Sequence, residues 1–345
     1  MNHGPGEVIP LKAANDVRDQ LRRPVRDLRL SVIETCNFRC PYCMPEDAFP
    51  FGATEGSAFR LTFDQLETVV RAFVRLGVSK LRLTGGEPLL RKGLPDFIRR
   101  LTAINGIEDM ALTTNASLLA RQARALHKAG LHRLTVSLDS LDPKRFAALS
   151  GGRGRLADVL AGIEAAEDAG FERIKFNCVV QRGVNEVDVL PLVERFRGSG
   201  HVLRFIEFMD VGTCNGWSRE RVVPSGDLLK RIAQHWPLRS LQPNYRGEVA
   251  SRYAFEDGQG EIGFISSVSA PFCGDCQRAR VSADGQLFTC LFASAGHDLR
   301  GLIDAGEDVL ADALAAIWRQ RSDRYSERRA EAGEAEHVEM FRIGG

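Results

Sequence analysis

Leu28 to Pro45 reads LRLSVIETCNFRCPYCMP, a short strand-like run that opens directly into a loop carrying Cys36, Cys40 and Cys43. The apolar and β-branched residues of Leu28 to Ile33 predict a strand, and the loop at its end carries the first chemistry of the chain. Working outward, LTFDQLETVVRAFVRLG (61–77) has apolar residues at helical spacing and stops at glycine. KLRLT (80–84) is a second strand that runs into a Gly-rich turn. DMALTT, RLTVSL, RIKFNCVV and HVLRFIEFM read as further strands, and LPDFIRRLTAI, LLARQARALHKAG, RLADVLAGIEAAEDAG and VDVLPLVERFR as the helices between them. Six strands over roughly residues 28–209 in a βα rhythm predict a parallel sheet. That rhythm alone suits an open doubly wound sheet as well as a barrel. Special residues cluster at or after strand ends, at Glu34–Cys43, Gly85–Pro88, Thr113–Asn115, Ser137–Ser140 and Met209, as they do on the C-terminal rim of a parallel barrel. The expected class is therefore α/β, a partial (β/α)6 TIM-like barrel.

The chain divides into an arm (1–25), the barrel (26–235, ending in a helix near Ser225–Gln234) and a C-terminal domain (236–345) where the rhythm breaks. The last part holds a strand-like EIGFISSVS, a second cysteine group and an amphipathic helix near Asp308–Trp318. RQRSDRYSERRAEAGEAEH (319–337) reads as a solvated segment, and a terminal Gly344-Gly345 as a frayed end by default. With 46 Lys and Arg against 45 Asp and Glu in 345 residues, the net charge of +1 gives no general drive toward nucleic acid or an anionic membrane. Neither a run of 18 apolar residues nor a secretion signal is evident, so a soluble, cytoplasmic protein is expected.

Eight cysteines are too few for a disulfide scaffold, and six of them fall into two triplets. Zinc in a structural site takes four ligands. The three thiols of Cys36, Cys40 and Cys43, with no histidine or further cysteine close by, suit a cubane iron–sulfur cluster whose fourth iron stays open to a small molecule. Cys273, Cys276 and Cys290 pose the same question. Taken alone they allow a zinc knuckle or a structural iron–sulfur site, with a distant fourth ligand or an open position. Cys178 and Cys214 could donate in principle but read as ordinary buried or partly buried thiols. Arg278 and Arg280, two residues apart on an extended segment, face one side. Together with Arg29, Lys80, Arg82 and Lys175 on or beside the strands, they predict a cationic cavity for a highly anionic substrate. A nucleoside triphosphate meets that requirement better than an amino acid or a sugar.

CNFRCPYCMP followed across one βα unit by Gly85-Gly86-Glu87-Pro88 resembles the radical S-adenosylmethionine (SAM) superfamily. KLRLTGGEPLLR, LTTN, VSLDS, RFIEFMDVG, EVASRY, PFCGDCQRARVSADGQL and the IGG end extend the resemblance, from about Leu28 to Gly345, to the GTP 3′,8-cyclase family. It implies SAM as cofactor and two 4Fe–4S clusters, on Cys36, Cys40, Cys43 and on Cys273, Cys276, Cys290. Tyr42, Gly86, Ser137 and Met209 would then bind SAM, and Arg29, Arg82, Thr113, Lys175, Arg278 and Arg280 would bind GTP. Arg29, Arg278, Arg280, Gly344 and Gly345 would take part in catalysis, the Gly-Gly end by inserting into the cavity. A reductant such as flavodoxin or ferredoxin, delivery of product to a cyclic pyranopterin monophosphate synthase and a homodimer are further implications. The chain departs from the family pattern at Glu34-Thr35, where an Asp-Arg pair is usual, and at Ala116, where glycine is usual. A two-cluster peptide-modifying radical enzyme is disfavoured by the paired arginines. A zinc-bearing RNA-binding module is disfavoured by the charge balance.

Overall fold

The structure is a computed structural model that describes residues 17–46, 60–331 and 336–344. Six parallel strands follow one another in chain order: β1 (Asp27–Ser31), β2 (Lys80–Thr84), β3 (Asp109–Thr114), β4 (Arg133–Ser137), β5 (Lys175–Val180) and β6 (Val202–Glu207). Their alternation has one unusual property. The apolar positions, such as Leu28, Leu30 and Leu83, are buried in the hydrophobic core. The intervening positions, Arg29, Arg82, Thr113 and Lys175 among them, line an interior cavity. A period of two thus separates a greasy outer face from a charged inner one.

The remaining strands are β7 (Leu238–Leu241), β8 (Ser251–Phe255), β9 (Glu261–Ile265), β10 (Arg278–Val281), β11 (Gln286–Phe288) and β12 (His297–Asp298). They extend both edges of the barrel sheet, giving the order β12-β11-β10-β1-β2-β3-β4-β5-β6-β9-β8-β7. β10 runs parallel to β1, pairing Arg29 with Arg280, and β9 runs parallel to β6. The architecture is the expected partial barrel, with C-terminal strands continuing its two margins. Helices Ser225–Ala233 and Glu307–Gln320 lie where the sequence placed them.

Within the charged stretch after Gln320, Ser322, Arg324, Arg328, Ala330 and Glu331 are exposed as expected, but Arg321 departs from the solvated reading. Arg321 is buried, and donates to Asp19 Oδ2 at 3.1 Å, Thr289 O at 3.0 Å and Cys276 O at 2.8 Å. Arg329 and Tyr325 both bind Asp210, at 3.0 and 2.8 Å. Charge density hid the burial of Arg321, because a paired guanidinium can be desolvated where an unpaired one cannot. Residues 332–335 of that stretch and residues 1–16 of the arm lie outside the described residues.

The arm from Val17 onward packs against this same region. Trp318, fully buried on the helix Glu307–Gln320, donates its indole N–H to Arg23 O at 3.0 Å. Arg23 in turn donates to Cys273 O at 2.7 Å and Asp323 O at 2.9 Å. Trp318→Ala is expected to cost about 3–5 kcal/mol, read as a lower denaturation midpoint of the apoprotein.

Candidate functional site

The barrel encloses a cavity of about 680 Å³, in the range of small-molecule sites. Both cysteine triplets face it. All eight cysteines are free thiols. Among the described residues no three His, Cys, Asp or Glu side chains close round a single metal-ion position.

The first triplet sits on the loop after β1, held by the Gly-rich turn after β2. Gly86 N donates to Ile33 O at 2.8 Å and Glu87 N to Thr35 O at 2.9 Å. A Cβ on Gly86 would lie 2.1 Å from Thr35 O, so only glycine permits this approach. Glu87 is buried beneath the turn and accepts from Thr114 Oγ1 at 2.7 Å and Asn115 N at 2.8 Å. Burial raises its pKa to about 7 against the pull of those donors. Asn115 reaches over to Asn37 Oδ1 at 2.9 Å. Tyr42 donates to Asp139 Oδ2 at 2.6 Å, which fixes its ring between the cysteines and the end of β4. Ser137 and Met209 also line the cavity. Glu34 finds its cation in Arg60, a bidentate pair at 2.6 and 2.8 Å. Ala116 adopts φ 62, a left-handed backbone that suits the glycine usual in the family.

Burial pushes the thiols of Cys36, to about 11, and of Cys40 and Cys43 upward. Cys276 goes the other way, to about 6: desolvation alone would raise it, but Arg278 and Arg321 outweigh that burial. Cys290 is raised to about 12 by burial. Three free sulfurs on one compact loop, opening onto a chamber with room for a second molecule, fit an iron–sulfur cluster with one open metal position. Cys273, Cys276 and Cys290 come from two loops, before β10 and after β11, and open onto the same chamber. Cys178 is occupied elsewhere, donating to Asp139 O at 3.8 Å, and Cys214 donates to Glu339 Oε2 at 2.8 Å.

Across β10, β1 and β2 the register aligns Arg280, Arg29 and Arg82 in one rung. Desolvation and then the neighbouring Arg280 and Arg82 drive the pKa of Arg29 well down, and its buried Nε has no partner among the described residues. Arg82 is braced by Thr113 Oγ1 at 3.2 Å and Thr135 Oγ1 at 2.9 Å. Lys175 is pulled down to about 7 by desolvation, then by Arg204, Arg133 and Arg82. Arg280 donates to Gly344 O at 2.5 Å. Gly344 is wedged so that a Cβ would lie 2.5 Å from Thr84 and 2.7 Å from Ser31. Gly345 lies outside the described residues.

Sequence reasoning missed Arg204 and Arg133, although both line the cavity. Each occupies an inward position of an apolar strand, the same signal that exposes Arg29 and Arg82. Asn177 orients Arg204 through a 3.0 Å hydrogen bond.

The Radical SAM superfamily profile matches residues 30–196, and that of Molybdenum Cofactor Synthesis C matches residues 201–327. A GTP 3′,8-cyclase of Xanthomonas campestris pv. campestris is 64% identical over 339 residues, 98% of this chain and 100% of the relative. One from Acidothermus cellulolyticus is 51% identical over 321 residues, 91% of this chain and 89% of the relative. Among solved structures, Streptococcus suis SuiB bound to S-adenosylmethionine superposes with a TM-score of 0.59 at 15% identity, covering 85% of this chain and 68% of that one. That likeness concerns the fold alone.

With its pKa near 7, Lys175 is charged below that pH and neutral above it. A polyanion in the chamber favours the charged form. Binding of inorganic triphosphate at pH 8 is therefore expected to take up as much as about one proton, seen by calorimetry in buffers of different ionisation enthalpy. Lys175→Arg removes that buffer dependence.

Proposed function

The chain belongs to the GTP 3′,8-cyclase family of radical SAM proteins, and from that premise we propose how its own residues serve the family reaction. The protein is a lyase that converts GTP to (8S)-3′,8-cyclo-7,8-dihydroguanosine 5′-triphosphate in molybdenum cofactor biosynthesis. It uses SAM and iron–sulfur chemistry. In our reading, Cys36, Cys40 and Cys43 hold one 4Fe–4S cluster, and Cys273, Cys276 and Cys290 hold a second. When bound, the reduced first cluster and SAM supply the one-electron chemistry that activates ribose C3′.

The chain's own residues bind, orient and neutralise. Gly86 and Glu87 set the height of the first cysteine loop, and Tyr42, Ser137 and Met209 shape the SAM side of the wall. Arg29, Arg82, Thr113, Lys175, Arg278 and Arg280 receive the triphosphate. The observation that carries this assignment is the in-register rung of Arg280, Arg29 and Arg82 opening onto the chamber that both cysteine triplets face. Like charges crowded there raise one another's cost, and a substrate with about four negative charges relieves it. C8 of guanine must meet C3′ of the same nucleotide. Holding the purine at one end and the phosphates at the other therefore restricts the reacting atoms to a productive approach.

Gly344 joins this machinery through Arg280 and sits against Ser31 and Thr84 at the ends of β1 and β2; the catalytic role assigned to Gly345 falls outside the described residues. The remaining parts of the assignment are a flavodoxin or ferredoxin as reductant, a homodimer, transfer of product to a cyclic pyranopterin monophosphate synthase and a cytoplasmic location. No described helix is long and apolar enough to cross a membrane.

Anaerobic reconstitution with SAM, reductant and each of the four common nucleoside triphosphates tests the assignment. Cyclisation of GTP alone is expected, and equal turnover of ATP would overturn it. Arg278→Ala removes a charge-assisted contact worth roughly 2–5 kcal/mol in a closed cavity, so GTP affinity should fall about thirty-fold or more. SAM affinity should change little in the same variant, and equal losses would indicate damaged structure instead. Deleting Gly344 and Gly345 should leave iron content and folding intact and abolish cyclisation, while SAM cleavage persists. A full cyclisation rate would return the tail to an ordinary chain end.

A further inference from the structure

We propose that Glu339 is a positioning residue that latches the C-terminal tail in register against the loop Met209–Asn215, coupling the wall that carries Met209 to the cation Arg280. The proposal rests on the role given above to the tail. Glu339 Oε1 accepts from Thr213 N and from Thr213 Oγ1, both at 2.8 Å, and its Oε2 accepts from Cys214 Sγ at 2.8 Å. All three donors are neutral, so geometry rather than ion pairing selects the carboxylate. Gly212, at φ 76, leaves the space it occupies: a Cβ there would lie 2.1 Å from Glu339 Oε2.

The loop that receives Glu339 is itself fixed. Asn215 Nδ2 donates to Met209 O and Val211 O, each at 3.0 Å. Asp210 is held by Tyr325 and Arg329, and Arg329 also donates to Ser267 O at 2.9 Å. Beyond the latch the tail makes one helical turn, Met340–Ile343. Ile343 is completely buried beside Val211, Phe288 and Phe292, and Gly344 O then meets Arg280.

This path tolerates no slip. A helix turns about 100° per residue, so a shift of one position would rotate Ile343 out of its apolar site. It would also bring a branched side chain to the slot where even a Cβ would lie 2.5 Å from Thr84. The other anchors of the tail do not fix the register as strongly. Arg342 pairs with Asp284 at 3.3 Å in an exposed position, and Val338 N reaches Ala293 O at 3.0 Å through backbone alone. Exposed pairs contribute little.

The test uses the anaerobically reconstituted full-length enzyme, without nucleotide, treated with iodoacetamide and mapped by mass spectrometry. In Glu339→Ala, alkylation at Cys214 should accelerate at least about tenfold, as expected on losing a set of charge-assisted acceptor contacts. Carboxypeptidase should release the terminal glycines faster by a similar factor. With GTP and SAM present, 5′-deoxyadenosine formed per GTP cyclised should rise several-fold. Glu339→Gln keeps an oxygen for Thr213 and should restore most of the protection. Parental labelling and release in Glu339→Ala would overturn the latch. Faster labelling and release with an unchanged product ratio would overturn the coupling. Failure of the tail's own role shows separately, as full cyclisation by the Gly344-Gly345 deletion. Should Glu339→Gln fold normally yet release the tail as the alanine variant does, the acceptor geometry argued here would be wrong.

Discussion

Burying like charges side by side is the constraint on which the rest of this structure depends. Arg280, Arg29 and Arg82 share one rung, with Lys175, Arg204 and Arg133 on the same interior surface. A cavity wall of this kind is tolerable only when each side chain is braced and an anion completes the set. The bracing is visible: Thr113 and Thr135 support Arg82, Asn177 supports Arg204, and the carbonyl of Gly344 supports Arg280. The Nε atoms of Arg29 and Arg82, without a partner among the described residues, remain for a ligand to satisfy. The apolar outer faces of the same strands hold the wall in place, so each barrel strand does two jobs through its simple alternation.

Around that wall, close backbone approach replaces bulk. Gly86 lets the turn after β2 lie directly against the loop of the first cysteines, and Glu87 then ties the same turn to Thr114 and Asn115. Three consecutive strand ends are thereby fixed to one another around Cys36. The second triplet is tied down by different means. Arg23 and Arg321 grip the carbonyls of Cys273 and Cys276, so the arm, the last long helix and the cysteine loop form one unit.

Much of this was legible in the sequence. Strand and helix rhythm, the two triplets, and inward cations beside apolar neighbours are local patterns, and local patterns survive in one dimension. Arg204 and Arg133 obey the same alternation as Arg29 and Arg82, so they were readable in principle. What could not be read is long-range partnership. Arg321 and Arg329 sit in a stretch whose charge density mimics a solvated tail, and only the distant Asp19 and Asp210 explain the burial of the first and the anchoring of the second. Glu34 likewise gives no hint that Arg60 is its partner. Glu339 carries no signature at all, because its three donors lie in a loop more than a hundred residues earlier.

The pairing of β10 with β1 also governs how the molecule can be made. β1 is the first of the described strands to leave the ribosome, and its neighbour on one side is among the later ones. Until Arg278–Val281 has been translated, that edge of the growing parallel sheet has hydrogen-bonding groups with no native partner. Non-local parallel pairings of this sort close slowly and leave strand edges open to other chains meanwhile. Nascent chains interrupted before residue 278 therefore lack the piece that seals one side of the barrel. Vulnerability to misassembly is built into the order of synthesis, and it ends only when about the last fifth of these 345 residues begins to arrive.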